Sequence, residues 1–327
     1  MFVSVSIEVK STRIERLSIG PNPEGSRGIP RFLPDNPEST AEAGRRTGIR
    51  TMERIFIGDV QGCADELDEM IARAQRRFGA HFELWLVGDL VNRGPYNLRV
   101  LRTVRELMER GRARCVLGNH ELGLLRTALG LRELSPRDSI SDVLEAPDVD
   151  DWIGWLSRLP LVETGTLGDQ SFVMVHGAVH PDWDLPELEV RAGRASARLA
   201  VDPAGLLAAG DDEDLDVLER LTRCRSVGLD GEWSSQLPAT PREAWHAVWS
   251  RKCHDYGVVY GHWALQGLHV APGLRGLDTG CVHHGRGRDG MLTAWIPDPE
   301  RAHPFELPDD GLWQVRARRR YYGFENT

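Results

Sequence analysis

Lysine is nearly absent from this 327-residue sequence: Lys10 and Lys252 are the only two, and arginine carries almost all of the positive charge. The 40 basic residues are outnumbered by 49 acidic ones, which gives a formal net charge of −9. A chain with this balance lacks the broad positive surface that general nucleic-acid binding requires. Any chemistry on a phosphate group must therefore depend on a few local cations, and we expect no general nucleic-acid partner.

Long apolar runs and paired cysteines are also missing. No stretch approaches the roughly 18 apolar residues of a membrane-spanning helix, and the N-terminus lacks the basic and apolar segments of a secretory signal. The five cysteines include no Cys-x-x-Cys pair of the kind that indicates a zinc knuckle. An odd number of cysteines without such spacing is typical of a reducing compartment. We therefore expect a cytoplasmic protein with no membrane partner.

Residues 1–51 differ in composition from the rest of the chain. Five prolines interrupt any hydrophobic period between positions 21 and 37, and residues 38–50 are small, polar and charged. Such a composition is typical of a disordered leader. Because a strand-like run follows Met52 almost at once, a misassigned start, with the protein beginning at Met52, is an equal alternative. Residues 52–327 are predicted to form a single domain.

Short apolar runs alternate with helical patterns beyond Met52. The strand-like runs are 54–57, 83–87, 114–117, 172–175, 257–260 and 291–296. Amphipathic helices are predicted at 65–78 and 96–110, between the first three runs. This order predicts an α/β fold with right-handed βαβ units and a mostly parallel sheet. Residues 187–220 are predicted to form a helical insertion.

A side chain that can bind a metal follows each of five predicted strands. The turns are Gly58-Asp59-Val60-Gln61-Gly62, Gly88-Asp89, Gly118-Asn119-His120, His176-Gly177 and Gly261-His262. Because the carboxyl ends of the strands in an open α/β sheet lie along one crevice, these side chains can converge. One such turn, or one histidine after a strand, is more often structural. Five in the same position relative to a strand predict a metal site.

These motifs carry a family resemblance. GDVQG, GDLVNRGP, GNHE, VHG and GHW together resemble the phosphoprotein-phosphatase branch of the calcineurin-like metallophosphoesterases. Over residues 52 to about 297, LEAPD, TRCR, GHW and LDTGC further resemble the bacterial symmetrical bis(5′-nucleosyl)-tetraphosphatases. The resemblance implies a β-sandwich flanked by helices, with residues 52–327 as the metallophosphoesterase catalytic domain. It also implies a hydrolase that splits diadenosine tetraphosphate into two ADP.

The resemblance implies six metal ligands for two divalent ions. Asp59 and Gln61 would hold the first ion, Asp89 would bridge both, and the second ion would be completed by Asn119, His176 and His262. Two ions that share a carboxylate can ionise a water between them for in-line attack on phosphorus. The mixed oxygen and imidazole set suits Mn, Co or Fe, and Mg is compatible with it. Gln61 replaces the usual histidine, so the first site should bind its ion more weakly and prefer harder ions.

Four further residues are predicted to contact the substrate. His120 resembles the catalytic histidine of the family, which protonates the leaving phosphate oxygen or holds the attacking water, and an additional structural ligand is the alternative. Arg93 is expected to bind the scissile phosphate, because a guanidinium group can donate two parallel hydrogen bonds to it. Arg223 and Arg225 are candidates for the rest of the polyphosphate, with surface ion pairs as the alternative. Asp278 would support a histidine ligand or form a turn.

The resemblance leaves three functions to compare. The first is the dinucleoside polyphosphate hydrolase, which would also remove nucleoside-tetraphosphate caps from RNA 5′ ends. The second is a metal-dependent serine/threonine protein phosphatase, which is disfavoured because Asn92 replaces the aspartate of GDxVDRG and because GHW and LDTGC are present. The third is a non-catalytic phosphate-binding module, which would require lost ligands, although only Gln61 is unusual.

Other residues near the motifs are open to two interpretations. Four aromatic side chains could stack on adenine or pack in the core: Trp183, Trp233, Trp263 and Tyr96. His283 and His284 follow LDTGC; a position near the crevice is one interpretation, and we expect the other, a position at the surface.

Overall fold

A computed structural model describes residues 52–321, and the predicted leader or misassigned start at residues 1–51 lies outside this range. Within it the strands are, in chain order, β1 (Glu53–Ile57), β2 (Phe82–Leu86), β3 (Ala113–Cys115), β4 (Val162–Leu167), β5 (Gln170–Val175), β6 (Ser226–Val227), β7 (Trp233–Ser234), β8 (Glu243–Ala244), β9 (Tyr256–Tyr260), β10 (His269–Ala271), β11 (Leu274–Gly276), β12 (Met291–Trp295) and β13 (Leu312–Arg316). The α-helices are α1 (Ala64–Phe78), α2 (Asn97–Glu109), α3 (Asn119–Ala128), α4 (Ser141–Leu144), α5 (Val149–Leu156), α6 (Leu185–Val201), α7 (Pro203–Leu207), α8 (Glu213–Arg223) and α9 (Trp245–Ser250), and a 3₁₀ helix covers Cys281–His283.

The strands form two five-stranded sheets and one small three-stranded sheet. The first large sheet has the order β13-β12-β1-β2-β3 and the second has the order β10-β11-β9-β5-β4. β1, β2 and β3 run parallel, as do β5, β9 and β11. The strands outside these two triplets are antiparallel to their neighbours. The predicted βαβαβ unit is confirmed for β1 to β3, but the prediction of one mostly parallel sheet is wrong, because β5 and β9 belong to a second sheet.

The two large sheets pack face to face, which confirms the sandwich that the family resemblance implied. Phe56 of β1 and Phe172 of β5 meet edge to face, with ring centroids 5.3 Å apart and ring planes at 89°. Trp85, Met174 and Val259 belong to the same buried cluster. Burying a side chain of this size stabilises the fold by about 1.5–3 kcal/mol. This aromatic layer holds the two sheets in register with each other.

Helices cover the sandwich and build an insertion. α1 contacts β2 and β13, and α2 contacts β3, so both lie on the first sheet. The predicted helical insertion is confirmed as α6, α7 and α8, which lie between β5 and β9 in the chain and contact one another. α6 begins where the Asp184 side chain accepts a hydrogen bond from the Glu187 N–H, with Pro186 in the first turn. Among residues 52–321, no helix is both long and apolar enough to cross a bilayer.

The arrangement of the sheets decides where polar side chains can meet. Parallel strands in one sheet end at the same edge, and both parallel triplets contribute such ends. Loops that follow β1, β2 and β3 therefore meet loops that follow β5 and β9. Every turn in which the sequence predicts a metal ligand is one of these five loops.

Candidate metal centre

The loops after the five parallel strands bring the six predicted ligands into one buried group. Five of these side chains are almost fully buried, and Asn119 at the start of α3 is half-buried. Asp59 and Gln61 follow β1, and Asp89 follows β2. His176 and His262 come from the second sheet, after β5 and β9. The group therefore lies at the junction of both sheets, where no single loop could form it.

The loops after β1 and β9 touch directly. The main-chain N–H of His262 donates to both carboxylate oxygens of Asp59, at 3.1 Å and 3.2 Å. The preceding residue, Gly261, permits this approach, because a Cβ atom there would lie 2.1 Å from Oδ1 of Asp59. A larger residue at position 261 would therefore push the two sheets apart at the site.

Asp89 occupies the middle of the group. Its Oδ1 accepts a hydrogen bond of 2.9 Å from the His120 N–H and lies 3.3 Å from Nε2 of His176. Its Oδ2 accepts a hydrogen bond of 3.3 Å from the side-chain amide of Gln61. Burial by itself would raise the pKa of Asp89, but the nearby histidines and the His120 N–H lower it to about 2. Asp89 is therefore an anion at neutral pH, with one oxygen next to His176 and the other next to Gln61.

Main-chain carbonyls orient both histidines. Nδ1 of His176 lies 2.8 Å from the Val87 carbonyl oxygen, and Nε2 of His262 lies 3.1 Å from the Arg223 carbonyl oxygen. A carbonyl oxygen only accepts, so these two ring nitrogens carry the protons. The opposite nitrogens, Nε2 of His176 and Nδ1 of His262, are left with lone pairs directed into the group. Backbone carbonyls commonly orient metal-binding histidines in this way.

The donor set fits a divalent cation. Oδ1 of Asn119 lies 3.1 Å from Nε2 of His176 and 2.6 Å from Nδ1 of His262. With the ring protons placed as above, these three atoms present lone pairs to one another, an arrangement that a cation between them would stabilise. One ligand atom from each of Asp59, Asp89 and His176 also lies within 4.8 Å of the others. Oxygen and imidazole nitrogen together suit first-row divalent ions better than calcium.

Two further carboxyl groups crowd this centre. Burial raises the pKa of Asp59 well above its usual range, and the charges of Asp278 and Asp89 raise it further. Burial also raises the pKa of Asp278 to about 6, although the Gly280 N–H donates to its Oδ1 at 3.0 Å. Three buried carboxylates at one place repel one another unless cations offset their charge. Divalent ions would therefore allow all three to ionise.

Neutral imidazole is the form of histidine that can bind a metal. Burial lowers the pKa of His120, of His176 and, most strongly, of His262. At neutral pH all three rings are uncharged. The two predicted histidine ligands are therefore already in the state that ligation requires.

A pocket of about 720 Å³ opens beside this group, and four arginines line it. Arg93 donates to the Arg137 carbonyl oxygen at 2.6 Å. Arg225 donates to the Ser235 carbonyl oxygen at 2.8 Å and to the His262 carbonyl oxygen at 3.4 Å. Both residues are predicted phosphate contacts, and both lie in the pocket wall. The other two arginines are Arg286 and Arg288.

Arg223 lies elsewhere. Its guanidinium pairs at 3.1 Å with Glu219, one turn earlier on α8, and it is not among the residues that line the pocket. Only its main-chain carbonyl reaches the centre, where it orients His262. The Arg223 guanidinium is therefore in a surface ion pair, which is the alternative that the sequence leaves open.

His120 lines the pocket next to Asp89. Its Nε2 lies 3.7 Å from Oδ2 of Asp89, and its buried Nδ1 has no hydrogen-bond partner within residues 52–321. The side chain of Asn92 is occupied elsewhere, because it donates to Asp138 at 2.8 Å and accepts the Ser139 N–H at 3.0 Å. Asn92 therefore anchors the loop that carries Arg93.

Part of the pocket wall is formed by residues that were not predicted from the sequence. Arg286 and Arg288 belong to Gly285-Arg286-Gly287-Arg288, which three residues separate from the LDTGC motif, and this proximity was the available signal. His283 also lines the pocket, contrary to the expectation that it lies at the outer surface. Burial, and then the charges of Arg286 and Arg288, lower the pKa of His283 to about 4.

Only one of the four aromatic residues considered for adenine stacking lines this pocket. That residue is Trp263. Trp183 is buried and stacks on His180, with ring centroids 4.8 Å apart. Trp233 donates to Asp216 at 2.6 Å, and the Tyr96 hydroxyl accepts from Arg319 at 2.8 Å.

Backbone strain is concentrated in the same loops. Among the described residues, five that are not glycine have a positive φ: Gln61, Asp89, Asn92, Arg93 and His262. L-residues avoid this region, so each position costs on the order of 1–3 kcal/mol. All five lie in loops that supply the metal centre or its pocket.

A two-sheet sandwich with carboxylates, amides and imidazoles at its parallel strand ends, beside an arginine-lined pocket, has the architecture and donor set of a metal-dependent phosphoesterase. The sequence profile of the family described as Calcineurin-like phosphoesterase matches residues 52–285. The chain belongs to this family.

Several relatives share one name, "Bis(5′-nucleosyl)-tetraphosphatase, symmetrical". The chain is 38% identical over 256 residues to such a protein of Cronobacter sakazakii, covering 72% of this chain and 89% of the relative. It is also 38% identical over 292 residues to one of Serratia proteamaculans, covering 81% of this chain and 100% of the relative. A crystal structure of a protein assigned as a diadenosine tetraphosphatase superposes with a TM-score of 0.53 at 24% identity, covering 81% of this chain and 94% of that one. That likeness shows the fold.

Proposed function

We propose that this chain is a metal-dependent hydrolase that cleaves diadenosine tetraphosphate symmetrically into two ADP. The observation that carries the proposal is the convergence of the six ligands from five loops beside a pocket lined by arginines. The names of the relatives support the choice of substrate.

The ligand set divides between two ions. Asp59 and Gln61 would hold one, with Asp89 shared, and the other would be completed by Asn119, His176 and His262. Mn, Co or Fe fits this set, and Mg is compatible with it. When bound, two such ions polarise phosphate oxygens and lower the pKa of a coordinated water. Gln61 would ligate through its carbonyl oxygen, because the lone pair of an amide nitrogen is delocalised and not available to a metal.

Arginines would capture the polyphosphate at short range. The chain carries a net charge of −9, so long-range attraction does not bring a polyanion to it. Arg225 is held by two main-chain carbonyls, which fixes its guanidinium beside the second metal position. Arg93 faces the pocket from the loop after β2. Each guanidinium can donate two parallel hydrogen bonds to a phosphate group.

His120 is neutral in the metal-free protein, so it would first take up a proton from the attacking water and then pass that proton to the leaving phosphate oxygen. It lines the pocket, it is next to the ligand Asn119, and its Nε2 faces Asp89. A histidine in this position contributes through general acid–base catalysis. In a symmetric cut the leaving group is ADP, so the proton is delivered to an oxygen of its terminal phosphate.

The alternatives are less well supported. A serine/threonine protein phosphatase would need the aspartate that Asn92 replaces, and Asn92 is bound to Asp138 and Ser139. RNA with a nucleoside-tetraphosphate cap presents the same run of four phosphates, so we include capped 5′ ends among the proposed substrates. The free thiols fit a protein of the reducing cytoplasm, which is the location we propose.

Product analysis tests the reaction. Metal-free protein is incubated with diadenosine tetraphosphate and Mn, Co or Mg, and the nucleotides are separated. ADP alone supports the proposal, whereas AMP together with ATP would show an asymmetric cut. Absence of hydrolysis, accompanied by turnover of a phosphopeptide, would favour the protein phosphatase. Capped RNA is assayed in parallel.

A single substitution tests the requirement for the shared ligand. Asp89→Asn removes the charge at the centre, and the loss of several kcal/mol of electrostatic stabilisation corresponds to roughly a thousandfold lower kcat. Asp169→Asn, at an exposed turn between β4 and β5, is the matched control. Substantial turnover by Asp89→Asn would refute the two-metal account.

A further inference from the structure

One part of the pocket wall is apolar, in contrast to the part that the arginines form. Leu237, Trp263 and Leu265 line it, and two of them are exposed to an extent unusual for leucine: 49% for Leu237 and 65% for Leu265. We name these three residues the apolar wall. Trp263 itself is only 9% exposed, so the two leucines contribute most of the exposed apolar surface of this wall.

The segment that carries Trp263 and Leu265 is held in place by hydrogen bonds. The Trp263 N–H donates to the Gly261 carbonyl oxygen, and the Gln266 N–H donates to the Trp263 carbonyl oxygen, both at 2.8 Å. Arg288, which also lines the pocket, donates to the Ala264 carbonyl oxygen at 2.5 Å. Leu265 is therefore exposed on a fixed turn rather than on a loose loop. A fixed apolar surface binds a ligand with little ordering cost.

Arg225 connects the apolar wall to the phosphate-binding residues. Its guanidinium donates to the Ser235 carbonyl oxygen, two residues before Leu237, and to the His262 carbonyl oxygen, three residues before Leu265. One arginine thus fixes both segments that carry exposed leucines and also faces the metal centre. A ligand that contacts Arg225 with a phosphate would place its next group against the apolar wall.

We propose that Leu237, Trp263 and Leu265 bind one nucleobase of the dinucleoside tetraphosphate. This inference rests on the proposed function and adds the part of the site that recognises the nucleoside. A purine has two flat apolar faces, which suit leucine and tryptophan side chains, and its attached phosphates extend to Arg225 and the metal centre. Burying the exposed leucines beneath the base supplies the affinity that phosphate contacts alone do not provide.

Leucine truncation separates base binding from phosphate binding. The variants are Leu237→Ala and Leu265→Ala, both at exposed positions where the fold loses little. Leu229→Ala is the matched control, because Leu229 is 89% exposed and does not line the pocket. For each protein, loaded with Mn, we measure KM and kcat for diadenosine tetraphosphate and the inhibition constants of ADP and inorganic pyrophosphate.

The inference predicts a split between the two inhibitors. Each leucine truncation removes apolar surface that would be buried against the base, so each pocket leucine variant should raise KM and the ADP inhibition constant by about tenfold. Inhibition by pyrophosphate, which has no base, should stay within twofold (roughly the scatter of surface substitutions). The control should match the wild type in every measurement.

Other outcomes overturn the inference. Unchanged ADP inhibition in both variants would show that the base binds elsewhere, and equal weakening of ADP and pyrophosphate would show that the leucines only shape the phosphate site. If the wild-type protein fails to hydrolyse diadenosine tetraphosphate, the proposed function fails first. Failure of the base site is recognised by normal wild-type hydrolysis together with unaffected variants.

Discussion

The carboxylate of Glu121 accepts a hydrogen bond of 2.9 Å from the main-chain N–H of Asp89, the residue at the middle of the metal centre. The same carboxylate accepts the N–H groups of Leu90 at 2.8 Å, Val91 at 3.1 Å and Gly118 at 3.0 Å. Glu121 lies in the first turn of α3. It therefore ties the loop after β2 to the loop after β3, although it lies behind the ligands.

Glu121→Gln tests this connection. A glutamine has one accepting oxygen, so two buried N–H groups would face its amide hydrogens and lose their acceptor. Each unsatisfied buried donor costs about 1–3 kcal/mol, and we expect the free energy of unfolding to fall by about 3 kcal/mol. Urea denaturation of the metal-free protein measures it, with the exposed Glu133→Gln as control. Equal denaturation midpoints for the two variants would contradict the interpretation.

Two histidine substitutions separate proton transfer from metal binding. His120→Ala should lower kcat by about 10²–10⁴-fold while the protein retains its metal, because general acid catalysis is worth that much. His176→Ala should lose bound metal, since Nε2 of His176 faces Asn119 and Asp89. Metal content after dialysis and kcat are measured on the same samples. The control is His303→Ala, at an exposed position. Metal loss in His120→Ala equal to that in His176→Ala would assign His120 as a structural ligand.

Gln61→His restores an imidazole at the first predicted site. Imidazole is a softer and stronger ligand than an amide oxygen, so Mn and Co should bind more tightly, and the preference should shift away from Mg. The backbone at Gln61 has a φ of +48°, and histidine tolerates such values better than most residues. Titration with each metal, followed by calorimetry, measures the change. Unaltered affinity for all three ions would indicate that residue 61 does not ligate.

The stability of the metal-free protein should depend on Asp278. Burial raises its folded pKa to about 6. An unfolded aspartate has a pKa of about 3.9, so the protonated group contributes about 2–3 kcal/mol of stability. That contribution is complete below about pH 4 and is lost as the pH rises through about 6. Wild type should therefore lose stability relative to Asp278→Asn across this window.

The experiment needs a reference variant because the buried histidines also make the stability depend on pH. Burial lowers the pKa of His176 and His262, so their contribution to the free energy of unfolding is lost as the pH falls. The contribution of Asp278, in contrast, is lost as the pH rises. The difference between wild type and Asp278→Asn cancels the histidine contribution, because both proteins share it. A difference in unfolding free energy that stays constant from pH 4 to pH 7 (the window set by these two pKa values) would rule out the raised pKa of Asp278.

The positions of the candidate ligands could be predicted because each lies within four residues of the end of a strand and next to a glycine. The division into two sheets could not be predicted from the same pattern. β1 is buried on both faces, and its continuous apolar run is the same whether its sheet stands alone or packs on another. β4 (VETGTL) is half-exposed and contains a glycine, so neither periodicity nor composition marks it as a strand.

The pocket wall was harder to predict than the ligands. Glu219 lies four residues before Arg223 on α8, a spacing that favours an ion pair within the helix, and the structure contains that pair. Arg286 and Arg288 alternate with glycines. Because glycine adopts many backbone conformations, the sequence does not predict where the two arginine side chains point. The exposure of Leu237 and Leu265 depends on the conformation of the loops that contain them. A single leucine in a sequence does not indicate whether its side chain is exposed.

The five positive-φ residues at the centre have a consequence for laboratory evolution. Glycine would relieve the backbone at Gln61, Asp89, Arg93 and His262, and each replacement would be favoured in a selection that rewards heat resistance alone. Such a selection would remove the chemistry of the site while the sandwich itself improved. A screen for thermostable variants of this chain should therefore also measure turnover. Metal should be present in the medium, so that the strained loops are tested in the metal-loaded protein.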